Sequence, residues 1–175
     1  VKLNNEEIDL FSRTGTSVSH CPCSNMRLGS GILPLNKMLD KGVNVGLGVD
    51  GSASNDSGNL LNEARQALYL QRVNETNNFY LNARNALWLA TAGGATALNR
   101  DDIGSIKVGN CADFAIYDST SLELAGSVED PIGGLIFCGP LKTRWTICNG
   151  QIISENNNIK NINIEDTINQ HNSLS

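Results

Sequence analysis

Polar and apolar residues alternate most clearly over residues 43–49, where Val43, Val45, Leu47 and Val49 are interleaved with Asn44, Gly46 and Gly48. That period of two predicts a strand with small residues on one face. On either side the period is helical. Ile8 and Phe11, three apart behind an Asn pair and two early acids, predict a short amphipathic helix over 4–13 that Gly15 ends. Thr16 to Cys21 is β-branched and short, a buried strand that Pro22 stops, and 23–31 reads as a glycine-punctuated loop. Ile32, Leu35, Met38 and Leu39 then predict a helix over 32–41, closed by Gly42.

From Leu60 onward Leu61, Ala64, Ala67, Leu68 and Gln71 fall on one helical stripe, with Glu63 and Arg65 outside it. A further helix is expected over 82–98. Its interior Gly93-Gly94 pair weakens a helix by about 1 kcal/mol per glycine relative to alanine, so a close packing partner is expected there rather than a phosphate loop. Beyond Asp101 the pattern changes to short strands, 103–109 and 112–118, around a turn at Gly109-Asn110. Pro131 to Cys138 reads as a short apolar helix or turn. Residues 144–148 and 151–154 flank Asn149-Gly150, a strong hairpin signal. Ile164 to Ser175, with His171, reads as a weak polar helix.

The strand over 43–49 ends at Asp50, and the following Gly51-Ser-Ala-Ser-Asn-Asp-Ser-Gly58 is too polar and flexible to continue it. Asp-Gly after a strand also suits an ordinary tight turn. Here, however, the polar run leads into a helix rather than a second strand, so the unit is strand, long loop, helix, with Asp50 at the rim where α/β folds place chemistry. The two early strands, linked through a helix, should run parallel and present their ends on one edge, making His20 the neighbour of Asp50. A carboxylate beside an imidazole can bind a metal or pass a proton. A lone histidine at a strand end equally suits a satisfied core group.

Composition narrows the partners. The 175 residues are 40% hydrophobic and 18% charged, with a formal net charge of −5 and scattered Lys and Arg, which argues against a nucleic-acid surface. No apolar run is long enough to cross a membrane and no signal peptide is visible, so a cytoplasmic setting is expected. Cys21, Cys23, Cys111, Cys138 and Cys148 form no C-x-x-C pair and read as mostly buried thiols in a reducing compartment. The missing initial Met suggests a piece of a longer chain, and the Asn-rich 156–163 reads as compositional bias.

His20-Cys-Pro-Cys-Ser-Asn-Met-Arg-Leu-Gly-Ser-Gly31, Gly48-Val-Asp-Gly-Ser-Ala-Ser-Asn-Asp56 and Asn62-Glu-Ala-Arg65 together resemble the amidohydrolase superfamily, as do 89–118 and the hairpin at Asn149-Gly150. Within it, the resemblance is to the nucleobase deaminases and chlorohydrolases, and the Gly51–Gly58 run is most similar to the 8-oxoguanine deaminases. It implies an α/β fold: the last two βα units of a TIM-like barrel over 1–98, part of a small β-sandwich over 99–155, and a polar tail over 156–175. It also implies a zinc-dependent deaminase of a purine-like heterocycle, or a triazine-type chlorohydrolase, in which Asp50 binds the metal and acts as base on the metal-bound water. His20, Asn25 and Asn55 would line or contact the substrate ring.

The family's other metal ligands are histidines on earlier strands, with a catalytic Glu nearby, whereas the histidines here are His20 and His171. The chain is therefore expected to begin after the sixth barrel strand and to be neither zinc-loaded nor active by itself. As a noncatalytic module it would cover its open barrel edge by pairing with another copy, so a homo-oligomer is expected.

Overall fold

The computed structural model describes residues 1–74 and 81–174. Helix α1 (Asn5–Thr14) starts at a capping box, in which the Asn4 side chain accepts from the Glu7 amide and the Glu7 carboxylate accepts from the Asn4 amide, and it ends at Gly15 in the left-handed conformation. Strand β1 (Val18–His20) pairs in parallel with β2 (Val45–Leu47), with His20 opposite Leu47 and Ser19 opposite Gly46. Between them lie α2 (Pro22–Arg27) and α3 (Leu35–Asp40). The expected loop over 23–31 thus opens as a helix. Pro22 stops the strand, but it also occupies the first helical position, where its fixed φ and missing N–H cost nothing.

Helix α4 (Leu60–Asn74) packs against β2 and buries Ala64, Ala67, Leu68 and Gln71 as its stripe predicts. Glu63, expected outside, is fully buried on the same face. The expected helix over 82–98 is two: α5 (Ala83–Leu89), with an Asn82–Asn85 capping box, and α6 (Ala92–Ala97), separated at Thr91 by a non-helical backbone. The glycine pair in α6 does pack closely, since a Cβ on Gly93 would lie 2.8 Å from the Val45 carbonyl oxygen. The core combines Ile8 of α1, Leu35 and Met38 of α3, Val45 of β2, Leu68 of α4 and Leu89 of α5. Ile136 joins the same core from α7 (Pro131–Phe137), which Asp130 caps by accepting from the Gly133 amide.

A second, antiparallel sheet has the order β3-β4-β5-β6, from β3 (Phe114–Ile116), β4 (Trp145–Cys148), β5 (Gln151–Glu155) and β6 (Asn158–Ile159). Asn149 and Gly150 both take positive φ between β4 and β5, the hairpin turn expected from their sequence. Residues 103–109 form no strand. The Cys111 amide bonds back to the Asp102 carbonyl at 2.8 Å and the Asn110 side chain to Ser105, closing a compact loop that leaves Ile106 and Val108 in solvent. The Asn-rich stretch supplies β6, and α8 (Ile164–Asn172) follows, capped by Asn163; Ser175 of the expected terminal helix lies outside the described residues. Among the described residues no helix is long and apolar enough to cross a membrane. The thiols are all free, four half-buried and Cys148 exposed, so the expectation of mostly buried cysteines is too strong.

Candidate functional site

The parallel pairing of β1 and β2 brings the two strand ends to one edge, as their helical link requires. There the Gly48 amide donates to the His20 carbonyl at 2.9 Å, and the chain turns outward. Asp50 has φ 62, a left-handed backbone that Asp tolerates better than most residues, and its carboxylate is exposed. Ser24, in the first turn of α2, donates its hydroxyl to Asp50 Oδ2 at 2.5 Å, and Ser54 donates to the same oxygen at 2.8 Å. No described side chain donates to Oδ1. Donation from Ser24, then Ser54, then the Gly51 amide holds the Asp50 carboxyl below the usual carboxylate range.

The loop that carries Asp50 is itself closed. The Ser54 and Asn55 amides both donate to the Gly51 carbonyl at 3.0 Å, a turn of helix that returns the chain beneath Asp50. Asn55 is buried and its polar atoms are committed internally: Nδ2 donates to the Val49 carbonyl at 2.8 Å and to Glu63 Oε1 at 2.6 Å, while Oδ1 accepts from Ser57. Glu63 Oε2 accepts the Cys23 amide at 2.9 Å. Asn62, beside it on α4, donates to Cys23 Sγ at 3.3 Å. Arg27 at the end of α2 pairs with Asp56 across the surface of the same loop.

The structure brings together only part of the predicted set. The expected pairing of His20 with Asp50 is not formed. His20 shares the face of Val18 and stands opposite Leu47, both of which pack on the core, so its ring turns inward; it is 2% exposed and neither ring nitrogen has a hydrogen-bond partner among the described residues. Burial pushes its pKa down to about 4, so the imidazole is neutral at pH 7. Asn55 braces the loop, and Asn25, half-buried on α2, makes its hydrogen bonds through the backbone, to Cys21 and Ser30. Sequence reasoning missed Glu63, Ser24 and Ser54. For Glu63 a signal existed, since it lies four and eight residues before Ala67 and Gln71 on the buried stripe.

Zinc does not fit these residues alone. Among the described residues no three His, Cys, Asp or Glu side chains come together, and Asp50 is one carboxylate with hydroxyl neighbours.

Known proteins resemble this chain over most of its length. The model of the Amidohydrolase family matches residues 1–165. The chain is 46% identical over 138 residues to 8-oxoguanine deaminase of Pseudomonas aeruginosa, covering 79% of this chain and 30% of that protein. It is 34% identical over 168 residues to 5'-deoxyadenosine deaminase of Methanobrevibacter smithii, covering 95% of this chain and 39% of the relative. The zinc complex of atrazine chlorohydrolase from Arthrobacter aurescens TC1 superposes with a TM-score of 0.93 at 35% identity, over 99% of this chain and 39% of that one. The chain thus spans 30–39% of the length of these relatives. The parallel β1–β2 pair and the sheet beside it have the α/β architecture of the last two barrel units with part of a small β-sandwich, and the chain belongs to the amidohydrolase family.

Proposed function

We propose that this chain is the C-terminal part of an aminohydrolase that deaminates a purine-like heterocycle such as 8-oxoguanine, and that Asp50 carries its share of the chemistry. The observation that carries this reading is the Asp50 carboxylate, exposed at the strand edge and fixed through one oxygen by Ser24 and Ser54, with no described side chain donating to the other. Held ionised, it takes the proton of an attacking water and returns it to the departing amine, so that a ring C–N bond is replaced by C–O and ammonia leaves. The identity to 8-oxoguanine deaminase supports that substrate class. Zinc, present in the related chlorohydrolase, needs ligands beyond these residues, and Asp50 is the ligand this chain contributes to the reading.

A chlorohydrolase is the second reading, favoured by the fit to the atrazine enzyme. The whole protein containing this chain is assayed for ammonia release from 8-oxoguanine and 5'-deoxyadenosine and for chloride release from atrazine. Ammonia from the purine, with a loss of about 100-fold or more in kcat for Asp50→Asn, is the expected result. Chloride alone selects the second reading, and full activity in Asp50→Asn removes Asp50 from the chemistry.

A further inference from the structure

Glu63 is a fully buried carboxylate that the proposed chemistry does not use. A charge in such a place is costly unless its oxygens are satisfied. Its two oxygens are satisfied by two different segments. Oε2 accepts the backbone amide of Cys23, the residue before Ser24, and Oε1 accepts the side-chain amide of Asn55, the residue after Ser54. Glu63 therefore holds the immediate neighbour of each of the two hydroxyls that fix Asp50. The second hydrogen of the Asn55 side-chain amide reaches the Val49 carbonyl, immediately before Asp50. From its place on α4, Glu63 sets the separation of the α2 first turn and the Asp50 loop.

We infer that Glu63 is a positioning residue, a bracket that fixes where the Asp50 carboxylate points by locking Ser24 and Ser54 in register. The inference rests on the reading of Asp50 as the reacting carboxylate. It is specific to an acceptor-only group at residue 63. Glutamine has the same shape, but its amide offers one acceptor oxygen and one donor nitrogen against two N–H donors, so one arm of the bracket must open.

The test uses the whole protein with Glu63→Gln, Asn55→Asp and the two combined, read by kcat and KM, by thermal midpoint, and by hydrogen exchange over 22–28 and 48–59 well below that midpoint. Glu63→Gln is expected to lower kcat about 10- to 100-fold with KM within about threefold, and to speed exchange in both segments. In the double variant the amide introduced at position 63 can donate to the carboxylate introduced at position 55 and leave its oxygen to the Cys23 amide, but the bond to the Val49 carbonyl is lost, so exchange over 22–28 should slow relative to Glu63→Gln alone while that over 48–59 stays fast. Wild-type kcat in a Glu63→Gln protein of lowered midpoint would reduce Glu63 to a packing role and overturn the bracket, as would a double variant whose exchange over 22–28 is no slower than that of the single. If Glu63→Gln does not fold, Asn55→Asp sets two carboxylates face to face and removes the donor to the Val49 carbonyl as well, and unchanged kcat there overturns the bracket too. If the wild type turns over no heterocycle, the proposed reaction fails, and exchange alone decides: faster in both segments supports the bracket, unchanged rejects it.

Discussion

Gly46 of β2 and Gly94 of α6 meet backbone to backbone: a Cβ built on Gly46 would stand 2.8 Å from the Gly94 Cα and 3.1 Å from its amide nitrogen. No flexible side chain lies at this contact to move aside. Gly46→Ala is therefore expected to push α6 off the strand and destabilise the protein by about 1–3 kcal/mol, the usual scale of overpacking. Thermal or urea unfolding measures it. Gly94→Ala, whose added Cβ comes no nearer than 3.9 Å to the Leu89 carbonyl, should be far milder, and equal effects would deny the close approach.

His20 should make stability depend on pH in one direction. Its folded pKa, about 4, lies below the unfolded value of about 6.5, so between those values the unfolded chain binds the proton that the folded chain refuses. The stabilisation is fully present above pH 6.5 and is lost as pH falls toward 4, with a slope of up to about 1.4 kcal/mol per pH unit. His20→Gln should flatten that part of the thermal-midpoint profile. A variant with the wild-type slope would mean that other groups carry it.

Arg65 carries a contact between α4 and α7. Its Nε donates to the Ile136 carbonyl at 2.7 Å, on the residue by which α7 enters the core. Lysine keeps the charge but loses the planar donor set that reaches this carbonyl. Arg65→Lys is expected to cost about 1–2 kcal/mol, measured by denaturant midpoint, with faster amide exchange over 131–138. Unchanged exchange there would show that the α7 end is held without it.

The sequence's hydrophobic periods locate α1, α3, α4, β1 and β2, because each buries one side against a common core. The Asn149-Gly150 turn was equally legible, since its two positive φ values suit those residue types. Less local outcomes were not. Whether 103–109 forms a strand depends on a partner strand, and the Asp102–Cys111 closure removes it from pairing. Pro22 ends one element and begins the next, a double role that its residue type alone does not separate. The exposed place of Asp50 just beyond β2 is legible because strand, polar run and helix bracket it. Its holders Ser24 and Ser54 lie 26 and 4 residues away, and only the folded chain brings both to one oxygen. His20 was placed on the right strand and the right edge, but strand register sends its ring to the core rather than toward Asp50.

The thiol of Cys23 reports on Glu63 without any substrate. Burial pushes its pKa up to about 12, and the hydrogen bond and negative charge of Glu63 add to the shift. At pH 8 only about one such thiol in ten thousand is thiolate, the species that reacts with alkylating agents. Cys148 is exposed, so brief treatment with iodoacetamide should label Cys148 first and leave Cys23 nearly untouched, as read by peptide mass spectrometry. Glu63→Gln removes the charge that disfavours the thiolate and frees one arm of its surroundings, so labelling of Cys23 should accelerate while that of Cys148 stays constant. Equal rates at Cys23 in the two proteins would show that burial alone protects it, and that the Glu63 carboxylate does not act on the α2 first turn.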